Sequence, residues 1–580
     1  MKAKNLIIGQ MIFVITFLSF SFKLRSQDFI TQWTFGKTTN QVHFNAETTD
    51  TVTYTWTALP SGNTGSGIFI QTTADTVTLR NLDVLKGDTL KLSMNPSKLR
   101  RFYIDNGPDK TNLINVIQWG SVPWTSMNSA FKGCANLKID AKDNPDLSNV
   151  VDMSFMFAGA FSFNQNIGNW NTSNVTNMSN MFERAWTFNQ DIGNWNTSNV
   201  INMSYMFSWD TSFNQDIGNW NTENVQLMSN MFDDAWAFNQ DIGNWNTSRV
   251  VKMSGMFLNA TSFNQFIGKW NTSIVTNMIG MFDNARSFNQ NIGTWNVENV
   301  QYMDFMFRNA SVFNQDIGRW NVSKVGSMAF AFYNATSFNQ DIGNWNTSSV
   351  KSMWNMFFGA KLFNKYIGGW NTSNVTSRYG MFSGASSFNQ DIGNWNTSNV
   401  KNMGIMFDHA SSFNQNLGKW NLMENVGLAN MLDYSGLDCY NYSNTLIGWL
   451  SNNPTIKYIK LGSYGLQYGT NAETARNSLV NTQGWTINGD APSGNDCASV
   501  GTHNEESISQ IFIYPNPTSG ILKIEANNGS FYSISDLAGK VVDRGIITLN
   551  TASLESLPSG MYYITVINSN SKKTNKVFKY

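Results

Sequence analysis

The chain has 580 residues, 39 Lys plus Arg against 39 Asp plus Glu, no formal net charge and only 13% charged residues. That balance lacks the basic stripe needed to neutralise a phosphate backbone, which excludes nucleic acid as an expected partner. Length and uneven composition point to several modules rather than one globule.

Residues 1–26 read as a secretory signal: Lys2 and Lys4, an apolar run from Leu6 to Phe22, and Ser26 as a small residue before Gln27. Lys23 and Arg25 fall late in it, so an uncleaved membrane anchor is the alternative. No later segment approaches the ~20 apolar residues of a spanning helix. Residues 28–118 alternate apolar and polar side chains in short bursts, as at Val52, Tyr54 and Trp56 or Leu90, Leu92 and Met94. Turn-rich spacers such as Ser61-Gly62-Asn63 separate the bursts, which predicts a β-sandwich.

From 119 to 431 the chain repeats itself. A degenerate first unit with Met127, Phe131, Cys134 and Leu137 has the form of an N-terminal cap. Then Trp-Asn recurs with a strict period, at Trp170, Trp195, Trp220, Trp245, Trp270, Trp295, Trp320, Trp345, Trp370, Trp395 and Trp420, 25 residues apart. So regular a spacing means that each unit stacks on a copy of itself, because a lone unit buries too little apolar surface to offset the entropy of ordering it. Within a unit, Val175, Met178, Met181, Phe182 and Ala185 fall on one arc at helical spacing, which predicts a helical turn or short helix, with a 3₁₀ form as the alternative because its exposed positions are poor helix formers, and Ser173 as the N-cap. Gln190 to Asn194 is too short for a helix and predicts a short strand, pairing in parallel with its copies. The expected fold class is therefore an α/β repeat solenoid of leucine-rich-repeat type, each 25-residue unit a short parallel strand plus a helical turn, flanked by β-sandwich domains at both ends. Asparagine columns after each Phe (Asn189) and each Trp (Asn196) are placed to satisfy turn backbone groups. Arg378 stands where other units have methionine.

Residues 432–490, with Tyr442, Leu446, Trp449, Leu479 and Trp485, predict a C-terminal cap, and 491–510 a polar linker. Residues 511–580 predict a second small β-sandwich, with strands at 521–524, 531–534, 541–542 and 561–566. Of the three cysteines, Cys134 takes an alanine position of the repeat, while Cys439 and Cys497 flank the segment after the last repeat and are candidates for a disulfide.

Chemistry-bearing clusters are scarce. His43, His409 and His503 lie in three separate segments, which leaves no zinc cluster and no Ser-His-Asp or Cys-His constellation; no phosphate-binding glycine loop occurs either. The expectation is a protein that is not an enzyme, with no cofactor and no metal. Two features are candidates for a ligand face. Asp191, Asp216, Asp241, Asp316, Asp341 and Asp391 share one repeat position, interrupted by Asn166, Phe266, Asn291, Tyr366 and Asn416, as on a solvated face. Phe161, Trp186, Trp209 and Trp236 flank the repeat alanine, outside the apolar arc, and form either an exposed aromatic patch or a packing surface for the N-terminal sandwich.

Two stretches resemble known families. The unit Trp-Asn-Thr-Ser-Asn-Val-x-x-Met-x-x-Met-Phe resembles the repeat of BspA-like leucine-rich-repeat surface proteins over about residues 119–490, which implies an exported surface protein for binding or adhesion. The tail resembles the type IX secretion C-terminal sorting domain of Bacteroidetes-type Gram-negative bacteria. Its matching residues are Tyr514, Pro515, Asn516 and Pro517, then Gly520, Gly539 and Lys540, then Gly560, Tyr562 and Lys576. That resemblance implies recognition by the type IX secretion machinery and release or anchoring at the outer-membrane surface. The 28–118 segment is Ig/PKD-like in outline but lacks a WGDGS-like stretch. The combined expectation is a secreted cell-surface protein for adhesion or macromolecular recognition, its partner an extracellular protein or a glycan. The alternatives are a carbohydrate-binding protein that uses the aromatic patch on the first repeats and a structural surface-layer component.

Overall fold

The computed structural model describes residues 27–72 and 76–497, and in the C-terminal module 512–514, 521–525, 531–537, 540–546, 551–554, 556–567 and 572–579. The signal segment 1–26, most of the linker, and Pro515, Asn516, Pro517, Gly520 and Gly539 lie outside the described residues. Two compact units divide the chain, 1–496 and 497–580.

The N-terminal strands are β1 (Phe29–Thr34), β2 (Val42–Thr48), β3 (Val52–Leu59), β4 (Thr64–Phe69), β5 (Thr76–Leu79), β6 (Thr89–Met94), β7 (Leu99–Tyr103) and β8 (Leu113–Gln118). Their alternation is that of half-buried strands: Val52, Tyr54, Trp56 and Ala58 point inward, and Thr53 and Thr55 outward. One sheet runs β4-β3-β6-β1-β8 and continues into β9 (Lys138–Ile139); the other runs β5-β2-β7. Because β9 lies within the first degenerate unit and pairs in parallel with β8, the sandwich and the repeats share a sheet as well as a core. Phe29, Trp119, Phe131 and Trp170 link the two through ring contacts, with Phe29–Trp119 at 6.0 Å, Trp119–Phe131 at 5.9 Å and Trp119–Trp170 at 5.6 Å.

In the repeats, successive coils stack in parallel through one bridging residue each, Asp152 to Asn177 to Asn202 to Leu227 and onward to Gly427. The inward columns are those expected: Val175, Met178, Met181, Phe182, Ala185, Phe188 and Ile192 are fully buried and Trp195 is nearly so. Rings repeat face over face along the stack, as at Phe182–Phe207, 5.7 Å and 4° apart, and Trp245–Trp270, 6.4 Å and 2° apart.

Both local expectations inside the unit need correction. The Val175–Ala185 half forms linked turns, not a helix: the N–H groups of Met181, Glu183 and Ala185 donate to carbonyls three residues back, and Asn180 and Arg184 sit at φ 58°. Alternate N–H groups instead leave the coil: Met178, Asn180, Phe182 and Arg184 donate to the carbonyls of Asn202, Ser204, Met206 and Ser208 at 2.8–3.0 Å. A helix would have spent those donors internally and left the coils joined by side chains alone. The Gln190–Asn194 half is not a strand; the parallel bridge falls on the other side of the coil, at Asn177.

Side chains tie this second half together. Asn164 Oδ1 accepts from the Asn189 N–H (3.0 Å) and from Gln190 Nε2 (2.9 Å) of the next coil, and the Trp195 indole N–H donates to the Ile167 carbonyl (3.1 Å). Coils approach so closely here that a Cβ on Gly193 would lie 2.6 Å from the Asp216 carbonyl oxygen, which accounts for the glycine in every unit.

The cap continues the ladder with different local structure. Leu428 bridges Leu461, and β10 (Lys460–Gly462) pairs in parallel with β12 (Thr486–Asn488), as β11 (Gln467–Tyr468) does with β13 (Ala491–Pro492). Here helices replace the turns, α1 (Cys439–Asn452), capped by Asp438, and α2 (Thr470–Asn481). The indole bond to the preceding coil persists, from Trp449 to the Leu417 carbonyl and from Trp485 to the Ile456 carbonyl. The linker expected from residue 491 begins later, because Ala491 and Pro492 belong to β13 and the Ala491 N–H donates to the Leu466 carbonyl. Cys439 and Cys497 are disulfide-bonded; Cys134 is free and buried, and burial raises its thiol pKa. No helix among the described residues is long and apolar enough to cross a membrane.

The second unit carries β14 (Phe512–Tyr514), β15 (Ile521–Glu525), β16 (Phe531–Ser535), β17 (Val541–Ile546), β18 (Thr551–Ser553), β19 (Gly560–Ile567) and β20 (Lys572–Lys579). They form sheets β14-β15-β18 and β17-β16-β19-β20 around a separate core of Leu522, Ile534, Leu554, Ile564, Val566 and Val577. Tyr562 is buried there and donates its hydroxyl to the Pro558 carbonyl (2.8 Å); Lys540 and Lys576 are exposed, and Gly560 opens β19.

Candidate recognition surface

The turns that join coils also decide what faces outward. Two columns of each coil, four residues apart, have positive φ, which L side chains other than Asn tolerate poorly, and the first is the one that holds Asn180. Gly255 (φ 60°), Gly280 (φ 59°) and Asn230 (φ 56°) suit it. Phe155 (φ 57°), Tyr205 (φ 59°), Phe305 (φ 60°), Phe330 (φ 58°) and Ile405 (φ 47°) occupy the same column at a strain of roughly 1–2 kcal/mol each. Neighbouring coils fold identically with glycine, so nothing in the stack demands these rings.

Phe305 and Phe330 stack at 4.9 Å and 17°, Phe330 meets Trp354 at 5.5 Å, and Tyr333 stacks on Phe358 at 4.6 Å and 10°. Trp354 is 45% exposed and the other four are half-buried, so the rings make a shelf across three coils. Beside it runs a groove of about 360 Å³ bordered by Asn230, Ser254, Gly280, Asp283, Phe305 and Arg308. Arg308 Nε donates to both carboxylate oxygens of Asp283 at 2.9 Å, and its guanidinium lies 4.8 Å from the Phe305 ring centroid. Burial raises the Asp283 carboxyl pKa, and Arg308 opposes that shift. Nearby, burial and then the charge of Asp234 push the Asp233 carboxyl up to about 7, against a hydrogen bond from Asn230.

The aromatic residues singled out from sequence are exposed: Phe161 37%, Trp186 46%, Trp209 42% and Trp236 50%. Phe161 and Trp186 stack at 4.4 Å; among the described residues no ring contact joins Trp209 or Trp236 to them. Trp209 sits at φ 60°, and the Trp236 indole N–H donates to Asp234 Oδ1 (3.1 Å). Phe161 also lines a cavity of about 250 Å³ whose far wall is Asn106, Lys110 and Thr111 of the N-terminal module, so it faces the sandwich as well as solvent.

The aspartate column has a structural duty. Asp191 Oδ1 accepts from the Gly193 N–H at 2.9 Å, and Asp216, Asp241, Asp316, Asp341 and Asp391 repeat the contact. Asn291 makes the same bond to Gly293, so the contact uses an oxygen rather than a charge, and the coils with Phe266 and Tyr366 form the same turn without it. No group of three His, Cys, Asp or Glu that could hold a metal occurs among the described residues. The shelf at Phe305–Phe358 escaped the sequence reading, although its signal was visible in rings at positions where other coils carry Gly, Asn, Ser or Asp.

Residues 512–580 match the secretion system C-terminal sorting domain, which implies a secreted or cell-surface protein of Bacteroidetes-type bacteria and contact with the machinery that sorts it. No curated protein matches the chain. Residues 125–243, 226–343 and 326–443 each match one family, described as Mycoplasma protein of unknown function, and together they span more than half of the 580 residues. The chain is thus a member of that family, DUF285, carried as a tandem array ahead of a sorting tail.

Proposed function

We propose that this protein is a non-catalytic recognition or adhesion protein of the cell surface, exported by the type IX route, that engages a macromolecule through the outward face of its array. The observation that carries the reading is the division of labour within each coil. Inward columns hold one residue type in nearly every coil, whereas outward positions range from Gly280 to Phe305 and Trp186. A rigid stack with many shallow contacts binds by avidity rather than by one deep pocket. Kinship with BspA-like leucine-rich-repeat surface proteins is part of this proposal. It is supported by the parallel bridge column and by the strand-plus-helix coils of the cap. The exposed Phe161, Trp186, Trp209 and Trp236 are its first candidate contacts.

Fractionation of the producing strain with and without residues 511–580, with mass spectrometry of the mature ends, tests the export half of the reading. The intact protein is expected at the surface or in the medium with its first 26 or so residues removed, and the truncated one retained behind the outer membrane. Intracellular protein in both strains would overturn it.

A further inference from the structure

Between the N-terminal module and the first coils, the cavity of about 250 Å³ is kept open by glycine. In the second column of positive φ, Gly159 (φ 70°) stands where the next two coils carry Arg184 (φ 58°) and Trp209 (φ 60°). A Cβ on Gly159 would meet nothing closer than the Gly133 Cα at 3.7 Å, so a side chain fits there and would take up space in the cavity that Gly159 lines. Resting on the recognition reading above, we propose that this cavity receives the carboxylate of a glutamate or aspartate from a peptide segment of a partner protein, whose apolar neighbours lie across the stacked Phe161 and Trp186.

Charge and geometry select that ligand. Lys110, Lys132 and Arg184 line the cavity, and Lys132 is already paired with Asp105 at 3.0 Å. Lys110 donates to Asn106 Oδ1 (2.5 Å) and pairs with no carboxylate among the described residues. Arg184 is kept at a φ that L side chains other than Asn tolerate poorly, yet its side chain is 59% exposed and makes no hydrogen bond among the described residues. The Glu183 carboxylate lies 3.9 Å from the Arg184 Nε and is held instead by the Asn180 amide at 2.9 Å. With Glu183 offsetting one of the two remaining cations, one positive charge is left in the wall. A single carboxylate balances it and matches the planar fork of a guanidinium, whereas a doubly charged phosphate would exceed it and meet Glu183. A sugar acid is disfavoured for another reason: Asn106 Oδ1 and one Glu183 oxygen are taken, so ring hydroxyls would find few free acceptors, while Ala135, Ala158 and Gly159 give the stem of an acidic side chain an apolar wall. The rim also has the residue types that dominate protein interfaces, an arginine near a tryptophan, with Trp186 46% exposed.

The test uses the full mature protein. Selection from a phage-displayed library of random peptides is expected to enrich sequences that pair glutamate or aspartate with an apolar or aromatic neighbour. The most enriched peptide is then titrated by calorimetry beside its amide counterpart, its phosphoserine counterpart and an oligogalacturonate. Replacing the acid by its amide is expected to weaken binding by about tenfold or more, and the phosphoserine peptide and the sugar acid are expected to bind no better than the carboxylate peptide. Arg184→Asn and Gly159→Asn, which bring in the residue that Asn259 and Asn284 supply at the same column, should weaken it by about tenfold or more, the first by removing the fork and the second by occupying the cavity. Trp354→Ala, on the distant shelf, should leave it unchanged. All three variants should keep the parent's far-ultraviolet spectrum and cooperative melting; should Gly159→Asn fail to fold, Arg184→Asn alone decides. Enrichment of no peptide, enrichment of peptides without an acid, binding untouched by Arg184→Asn, or tighter binding of the phosphoserine peptide or the oligogalacturonate would each overturn the assignment. Surface location of the intact protein alongside such a result would leave the broader recognition reading standing, so the two failures are distinguishable.

Discussion

Two faces of the same coil obey different rules. On the inside, Trp270, Trp295 and Trp320 lie 6.3 and 6.5 Å apart in near-parallel planes, each indole N–H bonded to a carbonyl of the coil before. On the outside, Gly280 and Phe305 hold the same position in successive coils with the same backbone angle, φ 59° and 60°. An inward residue must match its copies above and below, so the column repeats. An outward residue is free to differ from its copies, as Gly280 and Phe305 do, and a ring at a position of positive φ is there at a cost the stack does not require. Departures from the repeat therefore carry information of opposite kinds: inside they are defects, outside they are candidates for contact with other molecules.

The largest effect is expected from breaking the inside. Trp295→Ala removes contacts with three rings, Trp270, Phe282 and Trp320, and the donor to the Ile267 carbonyl, and should cost about 3–5 kcal/mol in urea unfolding. A cost below about 1 kcal/mol would mean that the column is not what holds the coils.

Two natural defects of the inside sharpen the comparison. Arg378 fills a methionine position, fully buried; Nε and Nη1 find no partner, and burial lowers its pKa to about 9. Arg378→Met should stabilise by about 1–4 kcal/mol, read from the unfolding midpoint. A loss of stability would show instead that the Nη2 bond to the Asn396 carbonyl (2.8 Å) outweighs the buried charge.

Asp210 fills an alanine position, also fully buried, with Oδ2 unpartnered, and burial raises its pKa well above 3.8. The folded state thus holds a proton that the unfolded state releases above pH 3.8, so stability falls as pH rises from there through the folded pKa. Asp210→Ala should remove that fall and stabilise by about 1–3 kcal/mol at pH 8 but little at pH 4. An equal gain at both pH values would place the effect in packing rather than in the proton.

The smallest effect belongs to the outside. Trp236→Ala should shift stability by about 0.5 kcal/mol or less, and Trp186→Ala, which loses its stack on Phe161, by about 0.5–1.5 kcal/mol. A loss near that of Trp295→Ala would make them packing residues for the N-terminal module instead of free surface.

Sequence revealed the inside far better than the outside. The Trp-Asn period and the buried Val, Met, Phe and Ile columns were legible because stacking forces identity on each of them. The local structure was not: Val175, Met178, Met181, Phe182 and Ala185 have helical spacing, yet linked turns produce the same inward pattern. The distinguishing marks were the left-handed positions four residues apart, Asn180 and Arg184, which only their copies as Gly255 and Gly359 make plain. The strand was misplaced to 190–194 because nothing in residue type signals which half of a coil spends its N–H groups on its neighbour. The shelf was missed for a related reason. Its rings come from three column positions in three units, and only the turn geometry shows that Phe305, Phe330 and Trp354 share a side.

The separation of the two faces is tested most directly by giving one molecule the residues its other coils use, Phe305→Gly, Phe330→Asn, Tyr333→Ser, Trp354→Ser and Phe358→Ser together, and measuring its free energy of urea unfolding against that of Trp295→Ala. Five outward replacements are expected to cost less than the one inward replacement, since each lost ring contact is worth about 0.5–1.5 kcal/mol and two strained positions are relieved. A cost exceeding that of Trp295→Ala would contradict the account, because it would make the shelf part of what holds the coils together.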